Sequence, residues 1–268
     1  MSGPLTRAAA EALKAQVAGL TEPPSLADLE MILRFLAKWR SQVLSQTLIA
    51  RQGTTVQGGL FAGMDYSAEA AEGSLSARLL GVYEAGLQPH IRRIVEAGID
   101  CVIDLGCAEG YYAVGLARAF PHLTVYAHDI SETARSYCAA LSEKNGVSDR
   151  VVVGGEFVAT DFEGFAGRRA LVIVDVEGAE VDILRPDLSP TLTRMHVVVE
   201  THDVWRPGAL ETIRARFQGT HQITTVEQSH ELPHPPEWLM RLSELDQLLA
   251  TWEWRHRLTP WLVMEPRS

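Results

Sequence analysis

Apolar residues along the chain fall into two rhythms, and the change comes near residue 99. Before it the spacing is helical. Ser25 opens a helix directly after Pro23-Pro24, and Asp28 three residues on completes a capping pattern. Leu26, Leu29, Ile32, Leu33, Leu36, Val43 and Leu44 then recur with a helical period, which predicts a helix to about Arg51. Residues 52–74 are rich in Gly, Ala and Ser and read as a mobile loop; a second helix is expected over 76–96.

From residue 99 onward, short apolar runs alternate with helical stretches. Strands are expected at 99–105, 123–128, 150–153, 170–176, 195–200, 222–227 and 261–264, with helices at 111–119, 132–145, 179–184 and 210–217. Asn145-Gly146 is a helix stop. Runs that are apolar on both faces and separated by helices mean a parallel sheet covered on both sides. In the tail, Trp238, Leu239, Leu242, Leu245, Leu248 and Leu249 keep helical spacing over 235–252. That stripe reads as core, with the wall of an apolar pocket as the alternative.

Composition narrows the function classes. The 268 residues are 46% hydrophobic and 22% charged, enough for one substantial core. A net charge of −10 argues against nucleic acid or an anionic membrane as partner, because both repel an acidic surface. Three cysteines without zinc spacing read as reduced thiols of a cytoplasmic protein. The first residues lack the apolar segment of a secretion signal, and no run reaches the roughly 18 apolar residues of a membrane span.

The chemistry concentrates where strands end. In Val102-Ile-Asp-Leu-Gly-Cys-Ala-Glu-Gly-Tyr-Tyr112 an apolar strand runs into a glycine turn and then a helix. Ligands of open parallel sheets sit beyond such carboxyl ends. Gly106 and Gly110 permit tight turning and close approach of the backbone. The spacing is G-x-x-x-G, and neither G-x-G-x-x-G nor a P-loop is present. Asp104 and Glu109 would repel a phosphate but suit an ammonium or sulfonium group. Asp129 ends the next strand, where dinucleotide folds hold ribose hydroxyls. These acids describe a nucleoside with a cationic end and no pyrophosphate, and S-adenosylmethionine (SAM) is such a ligand.

Asp104-x-Gly-Cys-x-x-Gly110 resembles the first motif of the class I SAM-dependent methyltransferases, and His128-Asp129-Ile130 resembles their acidic second motif. The resemblance covers residues 85–268. It implies that Gly106, Cys107, Glu109 and Gly110 cradle the amino-acid end of SAM, and that Asp104 lies near its ammonium group. It further implies Asp129 and Ile130 at the ribose, and Asp161 with Phe162 at the adenine. Asp175-Val-Glu-Gly-Ala-Glu180 and Glu200-Thr-His202 are similar to segments of the FkbM-type enzymes, as is Leu80–Leu87 ahead of the core. FkbM-type members mostly methylate oxygen on small molecules or sugars.

An acceptor hydroxyl needs a base or a metal. His202, Asp175, Glu200 and Glu177 are the catalytic candidates, with His202 preferred because its unperturbed pKa is near neutrality. Asp175 also borders the expected cofactor site. Asp175, Glu200 and His202 could instead hold a divalent ion such as Mg²⁺, although no metal ligand is assigned on sequence grounds. Tyr83 and Glu84 either close over the ligand or simply pack in a helix.

The expected fold is α/β: a Rossmann-like, doubly wound, mostly parallel seven-stranded sheet with its last strand antiparallel. A helical extension over 1–88, serving as lid or dimer interface, precedes a SAM-binding domain over 89–268. The expected function is O-methylation of a small-molecule or saccharide hydroxyl. Nitrogen or carbon methylation on the same scaffold, a nicotinamide-dependent oxidoreductase and a non-catalytic SAM-binding protein are the alternatives.

Overall fold

A computed structural model describes residues 3–67, 74–228, 232, 235–255 and 259–267. Helices α1 (Pro4–Ala18), α2 (Leu26–Gln52), α3 (Leu75–Leu80) and α4 (Gln88–Glu96) come first. The sheet part then runs β1 (Cys101–Leu105), α5 (Tyr111–Ala119), β2 (Thr124–His128), α6 (Glu132–Lys144), β3 (Val151–Gly154), β4 (Ala170–Val174), α7 (Glu180–Ile183), β5 (His196–Glu200), α8 (Ala209–Phe217) and β6 (His221–Val226). The tail supplies α9 (Glu237–Met240), α10 (Glu244–Thr251) and β7 (Trp261–Pro266).

The seven strands form one sheet in the order β3-β2-β1-β4-β5-β7-β6. The first five are parallel, and β7 is inserted antiparallel between β5 and β6. The doubly wound sheet expected from the alternating runs is therefore present, with its topological switch between β1 and β4. Strand alternation splits the apolar residues into two layers. Val102, Ala127, Ile173, Val198 and Val263 face α4, α5 and the N-terminal segment. Ile103, Val172, Val174, Val199 and Leu262 face the other layer, with Ile213 and Phe217 of α8.

The register fixes where chemistry can sit. Leu105 pairs with His128 and with Val174, and Val174 pairs with Val199. One residue further along the parallel register lie Gly106, Asp129 and Asp175, just past their strands, and Glu200, the last residue of β5. Four chain segments far apart in sequence thus deliver four special residues to one row.

Three local expectations differ from the structure. Residues 53–67 do not form a loose loop: Val56, Met64 and Tyr66 are buried, and Val56 N–H donates to the Met64 carbonyl at 2.8 Å. The side chain of Asn145 ties this segment to the end of α6, accepting from Asp65 N–H at 2.9 Å and donating to its carbonyl at 3.0 Å. Residues 68–73 of the expected loop lie outside the described residues. The helix expected over 76–96 is broken at Gly81, whose φ is +79°. A Cβ there would lie 2.0 Å from the Gly58 carbonyl oxygen, so the chain must turn at a residue without one. The tail helix is broken as well, because Ser243 starts α10 as a fresh N-cap, accepting from Asp246 N–H at 3.2 Å. Leu239 is buried and Trp238, Leu242 and Leu249 pack on the core, whereas Leu245 and Leu248 are exposed.

The helix opened by Ser25 is as expected. Its hydroxyl accepts from Asp28 N–H, and the Asp28 carboxylate accepts from Ser25 N–H at 2.9 Å. The three cysteines are free and buried. Among the described residues no helix is long and apolar enough to cross a membrane.

Candidate active site

A cleft of about 660 Å³ opens at the carboxyl ends of β1, β2 and β4, at the topological switch. Gly106, Asp129, Ile130, Asp175 and Glu177 line it, together with residues 155–159, Ala179, Asp182 and Ile183. Gly106 has φ +80°, and a Cβ on it would lie 1.7 Å from the Asp175 carbonyl oxygen. The glycine turn is pressed onto the chain leaving β4, and only a residue without a side chain fits there. Both carboxylate oxygens of Asp129 are held: Oδ2 accepts from Ala108 N–H at 3.0 Å and Oδ1 from Ser131 N–H at 2.8 Å. Asp129 is thereby fixed at the cleft wall with further lone pairs free to accept.

Asp104 sits one row inside the sheet, 3% exposed, and its Oδ2 is buried without a hydrogen-bond partner. Burial, reinforced by the charge of Asp129, pushes its carboxyl up to about 7; the Ala113 N–H opposes this. Asp104 itself is not part of the cleft lining, and Cys107, Glu109 and Gly110 lie behind the turn and outside it as well. Hydrogen bonding with Cys138, then burial, raises the Cys107 thiol, which marks it as inert. Glu109 turns away from the cleft into the N-terminal segment, accepting from the Tyr66 hydroxyl and lying 3.7 Å from Arg78 Nε. Asp161 and Phe162, the expected adenine side, do not reach the cleft either. Asp161 caps its own 3-10 turn, accepting from Val158 N–H at 2.9 Å, and Phe162 is fully buried in the core. The cleft wall at that point is formed by residues 155–159, with Phe157 among them.

Beside the cleft, beyond β4 and β5, is a second cluster. His202 Nδ1 lies 2.5 Å from Glu180 Oε1. A carboxylate only accepts, so Nδ1 carries the proton and Nε2 faces the other way. Asp175 Oδ1, Glu177 Oε2 and Glu200 Oε1 lie 3.6, 3.5 and 3.9 Å from Nε2. The four predicted residues His202, Asp175, Glu200 and Glu177 are therefore neighbours. Burial lowers the His202 pKa, but the hydrogen bond to Glu180 and the charges of Glu200, Glu180 and Glu177 outweigh it, so the net shift is upward. Burial, then Glu200, Glu84 and Glu177, push Asp175 well above the usual carboxylate range.

The sequence reading did not single out Arg255. Its guanidinium bonds Glu200 and Glu84 and reaches Glu253 at 2.9 Å. Glu84 also accepts from the Tyr112 hydroxyl, and burial raises its carboxyl to about 8. Glu84 thus belongs to this network, while Tyr83 lies under the Arg78 guanidinium at 4.3 Å. The non-glycine residues with positive φ among those described are Glu84, Ala108, Glu177 and Trp254. Ala108 and Glu177 line the cleft, Glu84 belongs to this cluster and Trp254 lies between its members Glu253 and Arg255 in the chain, in surroundings where backbone strain is characteristically retained.

No family model matches the chain. A 72-residue stretch is 38% identical to the release factor glutamine methyltransferase of Gloeobacter violaceus, covering 24% of this chain and 25% of that protein. The chain therefore spans about a quarter of the length of the curated relative it matches. Among solved structures, it is similar to the O-methyltransferase TomG from Streptomyces achromogenes in complex with SAM. The TM-score is 0.46 at 12% identity, over 68% of this chain and 79% of that one. It is also similar to an rRNA methylase from Streptococcus thermophilus, with a TM-score of 0.44 at 14% identity, over 68% and 97% of the two chains.

Proposed function

We propose that the chain is a SAM-dependent methyltransferase acting on a hydroxyl of a small molecule or saccharide. The observation that carries this reading is the row beyond the strand ends: a glycine turn pressed against Asp175, with Asp129 anchored beside it at the cleft wall. The residues fit the cofactor. The unpartnered buried oxygen of Asp104 calls for a cation, which the ammonium end would supply. Asp129 would accept from the ribose hydroxyls, and Ile130 and Phe157 offer apolar faces for the base. When bound, SAM supplies an electrophilic methyl carbon on a sulfonium.

Positioning accounts for much of the rate of such a transfer, and the chain's own residues provide it. His202, its Nδ1–H held by Glu180, presents Nε2 toward the cleft side as the proton acceptor for the hydroxyl. The oxygen-directed, FkbM-like reading is supported by the segments 175–180 and 200–202, which build this cluster. The net charge of −10 favours a small acceptor over a polyanion.

The test is calorimetric titration with SAM and its demethylated product. Binding is expected, with Asp129→Ala weakening it by about tenfold or more, a loss of about 1.4 kcal/mol. No binding at about 1 mM ligand, or an unchanged affinity in the variant, would refute the assignment. NADH titration separates the oxidoreductase alternative, which requires a fluorescence response.

A further inference from the structure

We propose that Asp175, Glu200 and His202 form a binding site for a divalent transition-metal ion, with Glu177 as a further ligand and Glu180 as the residue orienting the histidine. One ligand atom from each of Asp175, Glu200 and His202 lies within 4.8 Å of the other two. Nε2 is 3.6 Å from Asp175 Oδ1 and 3.9 Å from Glu200 Oε1. A point equidistant from three such atoms is about 2.1–2.4 Å from each, which spans the bond lengths of divalent ions to imidazole and carboxylate.

Two further observations point the same way. With Nδ1 on the buried Glu180, Nε2 lies 3.5–3.9 Å from three carboxylate oxygens, a spacing too long for direct hydrogen bonds. A carboxylate holding the distal nitrogen is the usual partner of a metal-bound histidine. Asp175 Oδ1 is buried without a hydrogen-bond partner, and so is the second oxygen of Glu180, a residue 0% exposed. Charge also matters. Six carboxyl groups, those of Glu84, Asp175, Glu177, Glu180, Glu200 and Glu253, are gathered around two groups that can carry positive charge, Arg255 and His202. A divalent ion would let more of these carboxyls ionise together.

The nitrogen ligand favours Mn²⁺, Fe²⁺, Co²⁺ or Zn²⁺ over Mg²⁺ or Ca²⁺, which prefer oxygen alone. Asp175 and Glu177 line the cleft, so the ion would face the acceptor side; with Nε2 engaged as its ligand, the ion would take the place of His202 as base by lowering the pKa of a hydroxyl bound to it. Only this use of the ion rests on the methyltransferase reading; its binding does not.

The experiment titrates chelator-stripped, full-length protein with Co²⁺, following visible absorption and calorimetric heat. Saturable binding of about one ion per chain is expected. Asp175→Asn and His202→Gln should each weaken it about tenfold or more, and Glu180→Gln should weaken it less. Absence of saturable Co²⁺ binding up to about 1 mM, or wild-type affinity in both ligand variants, overturns the proposal. If either variant fails to melt cooperatively, Glu177→Gln decides in its place, because that side chain is 58% exposed and its replacement leaves the core intact. SAM is titrated into the same samples. SAM binding without Co²⁺ binding removes the metal site alone, whereas Co²⁺ binding without SAM binding removes the cofactor reading and keeps the site.

Discussion

Asp104→Asn should stabilise the cofactor-free protein at pH 8 and do so far less at pH 5. The Asp104 carboxyl is 3% exposed and titrates near 7 when folded, against 3.8 as the ordinary value. An acid with a raised folded pKa contributes stability in its neutral form below pH 3.8 and loses it as the pH rises through 7. About three pKa units correspond to roughly 4 kcal/mol, of which about 3 kcal/mol is lost between pH 5 and pH 8. Asparagine keeps the shape and an acceptor for the Ala113 N–H but never ionises. Burying its amide has the same cost at both pH values, so that cost cancels in the comparison. The assay is thermal unfolding by circular dichroism at several pH values. The Tm of the variant relative to wild type should rise by about 5–10 °C from pH 5 to pH 8. Saturating SAM should shrink the difference, because a cation beside Asp104 favours its ionised form. A Tm difference that stays constant across that pH range would refute the reasoning.

Two other substitutions test the turn and the cluster. In Gly106→Ala the new Cβ would meet the Asp175 carbonyl oxygen at 1.7 Å with φ at +80°, so the turn must shift. Backbone strain alone costs about 1–2 kcal/mol, and a lower Tm with SAM binding weakened at least about tenfold is expected in differential scanning and calorimetry. Wild-type affinity would show that the close approach is dispensable. Arg255→Met leaves Glu84, Glu200 and Glu253 without their shared cation, which should cost about 3–5 kcal/mol at pH 8. Glu84 titrates near 8 and is neutral below that, so part of the loss should be recovered at pH 6 in urea unfolding. A loss of the same size at both pH values would contradict this.

Much of this architecture was legible because the sheet writes itself plainly. The run at 170–174 is apolar on both faces, as a covered parallel strand must be. At the ends of β1, β2, β4 and β5 the sequence changes abruptly from apolar to Gly or acid, and that change marks the row holding Gly106, Asp129, Asp175 and Glu200. Asp161 and Phe162 misled because an Asp followed by an aromatic looks the same whether it faces a ligand or caps a turn; the hydrogen bond to Val158 N–H decides. Glu109 sits in the right motif, but its partner Tyr66 is 43 positions away and leaves no local trace. Arg255 carries even less signal, since one arginine at the end of a Trp-rich tail acquires meaning only when the chain brings it to Glu84, 171 positions away.

The contact of Glu109 with Tyr66 and Arg78 has a consequence for how this molecule can be divided. Met64 and Leu79 share one apolar layer with Ile91 and Val114, so the described part of the N-terminal segment is a wall of the glycine turn. A version begun at residue 89 would strip that wall and leave the buried Glu109 carboxylate facing water-filled space instead of Arg78. Variation far upstream, at Tyr66 or Arg78, would be felt as altered ligand affinity. The segment that reads as an appendage works as the brace of the turn.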